Sequence, residues 1–258
     1  MSTRFASFLL ALSSLLASLG AAATDYSDIW WNPSENGWGV NLAQSDTFIF
    51  ATFFIYGSNN QPTWYVANLS DDGHGNYTGG FFSTTGTYFG TVPYNPAQFT
   101  VTQVGTATFT PTAADTGVFS YTVGMVSVVK NIQRQTLTPI LLGGAYSGGQ
   151  AGAYSGSQCT FGNYKDYFDL QVTQLASGSA SFVFSFVSGL SCTLSGTLQQ
   201  SGTLYSIPNA NYSCSTGLNT SASMSQIKAT SLGIEGQFHA PSVGSGCAED
   251  AQFSAVLM

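Results

Sequence analysis

Between Ser181 and Val187 the chain alternates so strictly that Phe182, Phe184 and Phe186 share one face of an extended strand. The pattern recurs. Leu190, Cys192, Leu194 and Leu198 oppose Ser191, Thr193, Ser195 and Thr197, and Phe168, Leu170 and Val172 alternate with Asp169, Gln171 and Thr173. Each run reads as a half-buried strand, wet on one side. After the first two dozen residues no stretch holds a 3.6-residue apolar period over ten positions. Residues 47–56 differ in being apolar on both faces: Phe48, Phe50, Phe54 and Tyr56 lie opposite Ile49, Ala51, Phe53 and Ile55. Such a strand is expected to be buried on both sides or to face another apolar surface. Turns at residues 57–60 and 71–76 separate this run from the next two, giving an antiparallel meander.

Residues 1–23 read as a signal peptide. Arg4 supplies the positive start, Phe5 to Leu19 the apolar run, and Ala21, Ala22 and Ala23 the cleavage site. The run is too short and serine-rich for a membrane span of about 20 apolar residues. The expected location is therefore secreted or periplasmic. Loss of Arg4 with this leader takes the formal charge from −7 to −8. The bases left are Lys130, Arg134, Lys165 and Lys228, too few to neutralise a phosphate backbone, so nucleic acid is excluded as a partner. Charged residues make up 7% of the chain, against about a quarter in ordinary globular proteins. Hydrophobic residues at 43% and aromatics at 14% nevertheless argue for a packed core. Cys159, Cys192, Cys214 and Cys247 form an even set without CxxC spacing, which reads as two disulfides in an oxidising compartment. Of three connectivities, Cys192–Cys214 across neighbouring strands and Cys159–Cys247 across the ends of a domain are favoured.

Composition changes near residues 141–149: every tryptophan precedes this glycine-rich stretch and every cysteine follows it. The expected fold is all-β, with two antiparallel meander domains, barrel or sandwich-like, following the signal peptide. A Trp-rich domain spans residues 25–140 and a disulfide-bonded one residues 141–258.

Residues 28–39 hold Trp30, Trp31 and Trp38 around a Pro and Gly turn. With residues 50–56 and 62–66, then 83–86, 104–108 and 130–135, this WWNPxExGWG phrase resembles a pattern recurring in exported proteobacterial proteins. The resemblance covers most of the chain beyond residue 23. It implies export and a β architecture, and it implies no reaction. A looser similarity is to avidin and lipocalin barrels, in which a Trp near the first strand closes one barrel end.

Two clusters of candidate site residues stand out. Trp30, Trp31, Trp38, Trp64 and Tyr65 offer aromatic area for stacking a sugar ring or an apolar small molecule, or else build the core. Because Trp30 and Trp31 are adjacent, they face opposite ways on a strand. Lys130 and Arg134, at i and i+4, share a face with Ile132. If that face points inward they need anionic partners, and Glu35 is the expected one. That polar cluster then binds a carboxylate or other anion, or serves as a structural ion pair. His74, in the acidic turn beside Asp71 and Asp72, matches no established calcium loop, and no cofactor or metal is expected.

The reading that follows is a secreted, non-catalytic protein that binds a small molecule, a glycan or an extracellular surface through its N-terminal domain. One alternative is an extracellular hydrolase using Glu35 with Asp28, Asp46 or Asp72 as second carboxylate. The other is an outer-membrane β-barrel, disfavoured by the cysteines and the Ser/Thr-rich strand faces.

Overall fold

A computed structural model describes residues 24–156, 159, 162–244 and 246–258. The signal peptide expected over residues 1–23 lies outside them. The described residues form β-strands joined by turns and loops, one 3-10 turn at Pro96–Gln98 and no α-helix, so no helix among them is long and apolar enough to cross a membrane.

Eight strands close the first barrel: β1 (Asp28–Trp31), β2 (Gly39–Ser45), β3 (Phe48–Tyr56), β4 (Pro62–Asp71), β5 (Tyr77–Thr85), β6 (Thr100–Pro111), β7 (Thr116–Val123) and β8 (Val126–Arg134). Each pairs antiparallel with the next. The seam is short, with β1 meeting β8 at Trp30↔Arg134 and Trp31↔Gln133. Inward positions are filled by Trp30, Phe53, Phe81, Phe109 and Phe119, all buried. Their rings meet largely edge to face, Phe53 lying 4.6 Å from Phe119 and Trp30 5.2 Å from Phe109. Filled this way, the barrel is a packed core with no channel.

The second barrel comprises β9 (Gly144–Ser155), β10 (Asn163–Gln174), β11 (Ser179–Phe186), β12 (Ser191–Thr197), β13 (Gln199–Ser201), β14 (Leu204–Cys214), β15 (Asn219–Ala229), β16 (Gly233–Ala240) and β17 (Ala248–Leu257). β9 pairs with both β10 and β17, and β12 pairs with β14 to close the ring, leaving the three-residue β13 on part of β14. The alternating runs land as the two-residue period demands: Phe182, Phe184, Phe186, Leu194, Phe168 and Leu170 point into one core. Two disulfides, Cys192–Cys214 and Cys159–Cys247, cross-link this barrel, and no cysteine among the described residues is free. Such bridges persist in an oxidising compartment.

Because neighbouring strands alternate in direction, each barrel has two distinct ends. The start of β1, the end of β8 and the turns at residues 46–47, 72–76 and 112–115 share one end of the first barrel. That end meets the second barrel. Asp28 Oδ2 accepts from Thr203 N and Oγ1, both at 2.9 Å, and Lys228 Nζ lies 2.9 Å from Asp25 Oδ2. Gly202, at φ +61°, turns the chain against this contact, where a β-carbon would lie 2.3 Å from Asp28 Oδ2. The opposite ends face away from each other. On the second barrel this outer end carries both disulfides.

The double-apolar strand is β3, and burial of both its faces is corrected by the structure. Ile49, Ala51 and Phe53 are buried, whereas Phe48, Phe50, Phe54 and Tyr56 stand exposed on the barrel wall. The outward face of β3 has no layer packed over it among the described residues, so hydrophobic pattern alone misassigned it.

Candidate functional site

The residues singled out from the sequence fall into three places. Trp30 is 0% exposed and Arg134 2%, so both belong to the core at the inter-barrel end, beyond reach of a ligand. The Arg134 guanidinium lies 5.0 Å from the Trp30 ring centre. Its partner is Asp28 (Nη1–Oδ2 3.1 Å), not Glu35 as the shared strand face suggested. Carbonyls of Ala114, Ser27 and Asp25 accept from its Nε, Nη1 and Nη2 respectively. Arg134 sits at the seam beside β1, so the acid in that strand reaches it first.

Glu35, Trp38, Tyr65 and Lys130 gather at the outer mouth of the first barrel. Residues 32–38 fold across that mouth, pinned by Glu35 N donating to Asn32 O (3.0 Å) and Ser34 N to Asn32 Oδ1 (2.9 Å). Lys130 Nζ lies 2.5 Å from Glu35 Oε2, and Trp38 Nε1 donates to the same oxygen at 3.1 Å. Lys130 also stands 5.7 Å from the centre of the Trp38 ring. Beneath this lid Tyr65 stacks on Phe81 at 5.0 Å. The Lys130 hydrogen bond, with its charge and the Trp38 indole, holds the Glu35 carboxyl below the usual range. Glu35 is thus an ionised, paired group that locks a plug.

Its proposed acid partners are not beside it. Asp28 is held by Arg134 and Thr203 at the inter-barrel end, and Asp46 and Asp72 lie in the turns at the far end of β3, the length of that strand away. Nine residues of strand span roughly 30 Å, whereas paired glycosidase carboxylates stand about 5–10 Å apart.

Trp31 and Trp64 face outward, and the register aligns them in a row. Trp30↔Val40 sets Gly39 beside Trp31, Gly39 pairs with Phe54, and Phe54 pairs with Trp64. Phe54 is 57% and Trp64 51% exposed. Gly39 leaves a gap in the row, because a β-carbon there would approach only the Trp30 carbonyl oxygen, at 3.2 Å. The result is a groove of about 350 Å³ floored by Gly39 and walled by Trp31 and Phe54, with Asn36, Asn41 and Gln135 on its borders. Flat rings take the CH face of a sugar, and the amides offer both donors and acceptors to its hydroxyls. Among the described residues no charged side chain lines the groove.

Of the residues lining the groove, sequence reasoning selected Trp31 and Trp38, with Trp64 next in the row, and missed Phe54, Gly39 and the amides. The signal was present: the residues of β3 read as a second core face are the exposed wall. No protein-family model matches the chain, and no curated protein matches it in sequence.

Proposed function

We propose that this protein is an exported, non-catalytic binding protein that holds a neutral glycan in the groove between Trp31 and Phe54. The observation carrying this reading is the outward row of Trp31, Gly39, Phe54 and Trp64, a stacking platform bordered by uncharged amides. The amino-terminal apolar leader, the disulfides and the likeness to exported proteobacterial proteins with the tryptophan phrase support an address outside the cytoplasm. Absence of charge in the groove favours neutral sugars over acidic ones. A water-filled location also fits the barrel wall, since membrane barrels reverse the pattern seen here. The interior is apolar apart from Lys130 and Arg134, and outward positions of β6, β7 and β8 such as Thr106, Thr108, Ser120 and Gln133 are polar, although β3 and β4 turn aromatic rings outward.

Affinity electrophoresis through a neutral β-glucan, a xylan and an N-acetylated glycan tests the reading, with tryptophan emission as a second probe. The wild-type chain is expected to be retarded by at least one. Trp31→Ala and Phe54→Ala should each weaken binding about tenfold, the ~1.4 kcal/mol of a buried aromatic contact. Gly39→Leu, which fills the groove, should abolish it. Retention of full affinity in Gly39→Leu would place the ligand elsewhere. Cleavage of a glycan that is lost in Glu35→Gln would replace binding with catalysis.

A further inference from the structure

The second barrel carries a cavity that the aromatic groove does not involve. It opens at the outer mouth and measures about 710 Å³, within the roughly 300–1,000 Å³ of small-molecule sites. Both disulfides brace the strands around it, Cys214 and Cys247 contributing to its lining. Phe186 and Leu218 supply apolar wall. The polar content is concentrated in Glu249, 6% exposed, and in Tyr154, Tyr164 and Tyr212.

These four side chains converge because of register. Glu249 pairs directly with Tyr154 across β17 and β9, and Tyr164 on β10 pairs with Gly152, two residues earlier on β9. The Tyr164 hydroxyl donates to Glu249 Oε1. The rings of Tyr154 and Tyr164 stack at 5.0 Å, and Tyr212 is backed by Phe238 at 4.8 Å.

Acids outnumber bases in this lining. Asp166 adds a second carboxylate to the lining. Among the described residues the one base that lines it is Lys165, which alternates with inward Tyr164 and Asp166 and so springs from the outward face of β10. Among the described residues no base pairs with Glu249. A buried carboxylate without a counter-ion is costly, and an anionic ligand would compound that cost. A cation offsets it, and phenol faces attract cations through their ring quadrupoles.

We propose that the mouth of the second barrel binds a small organic cation, its alkylammonium group held between Glu249 and the rings of Tyr154, Tyr164 and Tyr212. Burial keeps the phenols of Tyr164 and Tyr212 neutral, pushing both well above the ordinary range, and lifts Tyr154 to about 12. Burial also raises Glu249, opposed by the Tyr164 hydrogen bond and reinforced by Asp250. The cation needs the carboxylate form, so affinity rises with pH through that raised titration.

Titration calorimetry on the full chain at pH 8 provides the test. Choline and benzyltrimethylammonium are the probes, and 3,3-dimethyl-1-butanol is the uncharged isostere of choline. At least one cation is expected to saturate a single site, with the isostere at least tenfold weaker than choline. Glu249→Gln should weaken the cation at least tenfold, whereas Trp31→Ala, in the other barrel, should leave it unchanged. Failure of both cations to saturate overturns the proposal, as does equal binding of the isostere. Unaltered affinity in Glu249→Gln does the same. The cation and isostere comparison needs no variant, so it stands even if Glu249→Gln folds poorly.

Discussion

Glu249 and Glu35 show how environment alone divides two identical side chains. Glu35 lies at a lid with an ammonium 2.5 Å away and is held ionised, whereas Glu249 faces phenols and apolar walls and is pushed toward its protonated form. A carboxyl whose titration is raised in the folded state binds its proton more tightly there than in the unfolded chain. Its favourable contribution is therefore complete below the unfolded value of about 4.3, and is lost as pH rises through the folded one. Urea unfolding of wild type and Glu249→Gln across this window should show the wild type losing stability relative to the variant as pH increases. Parallel curves would contradict the upward shift. The position was partly legible. Glu249, Ala251, Phe253 and Ala255 alternate in the sequence, so an acid on a core face could be read from parity alone. What could not be read was Tyr164, which arrives from a strand 85 residues away.

Strand elements carry the same lesson at longer range. Alternation along β10, β11 and β12 is legible because each strand buries one face, and the period of two then names the inward residues without reference to partners. It fails at β3, whose two apolar faces differ only in what covers them. It fails again at Arg134, since which acid meets it depends on closure of β8 against β1. That closure makes the seam an electrostatic joint between barrels. Arg134→Ala would leave Asp28 buried without its counter-charge and is expected to cost about 3–5 kcal/mol in chemical unfolding. A loss below about 1 kcal/mol would mean that solvent reaches Asp28. Gly202→Val should also destabilise, since it forces a branched side chain into φ +61° beside Asp28. Faster amide exchange at Thr203 and Asp28 would mark the joint as the place that gives way; exchange unchanged there would show the turn relaxing without it.

At the scale of the whole molecule, tryptophans and cysteines are segregated: every indole lies in the first barrel and every disulfide in the second. The two can therefore be followed separately. The bridges span 88 and 22 residues, and each is expected to contribute about 2–4 kcal/mol, mainly by restricting the unfolded chain. Reduction should produce an early melting transition in circular dichroism that tryptophan emission does not report. If emission shifts at the same temperature, the salt-bridged joint makes the barrels unfold as one unit.

Ring formation has a further consequence for a polypeptide with 7% charged residues. An open sheet of this composition would present rows of unbonded amides to other copies, with little like-charge repulsion to keep them apart. By returning β8 to β1 and β12 to β14, the chain consumes those amides internally. Topology thus supplies the protection against intermolecular strand addition that more highly charged proteins obtain from lysine and glutamate.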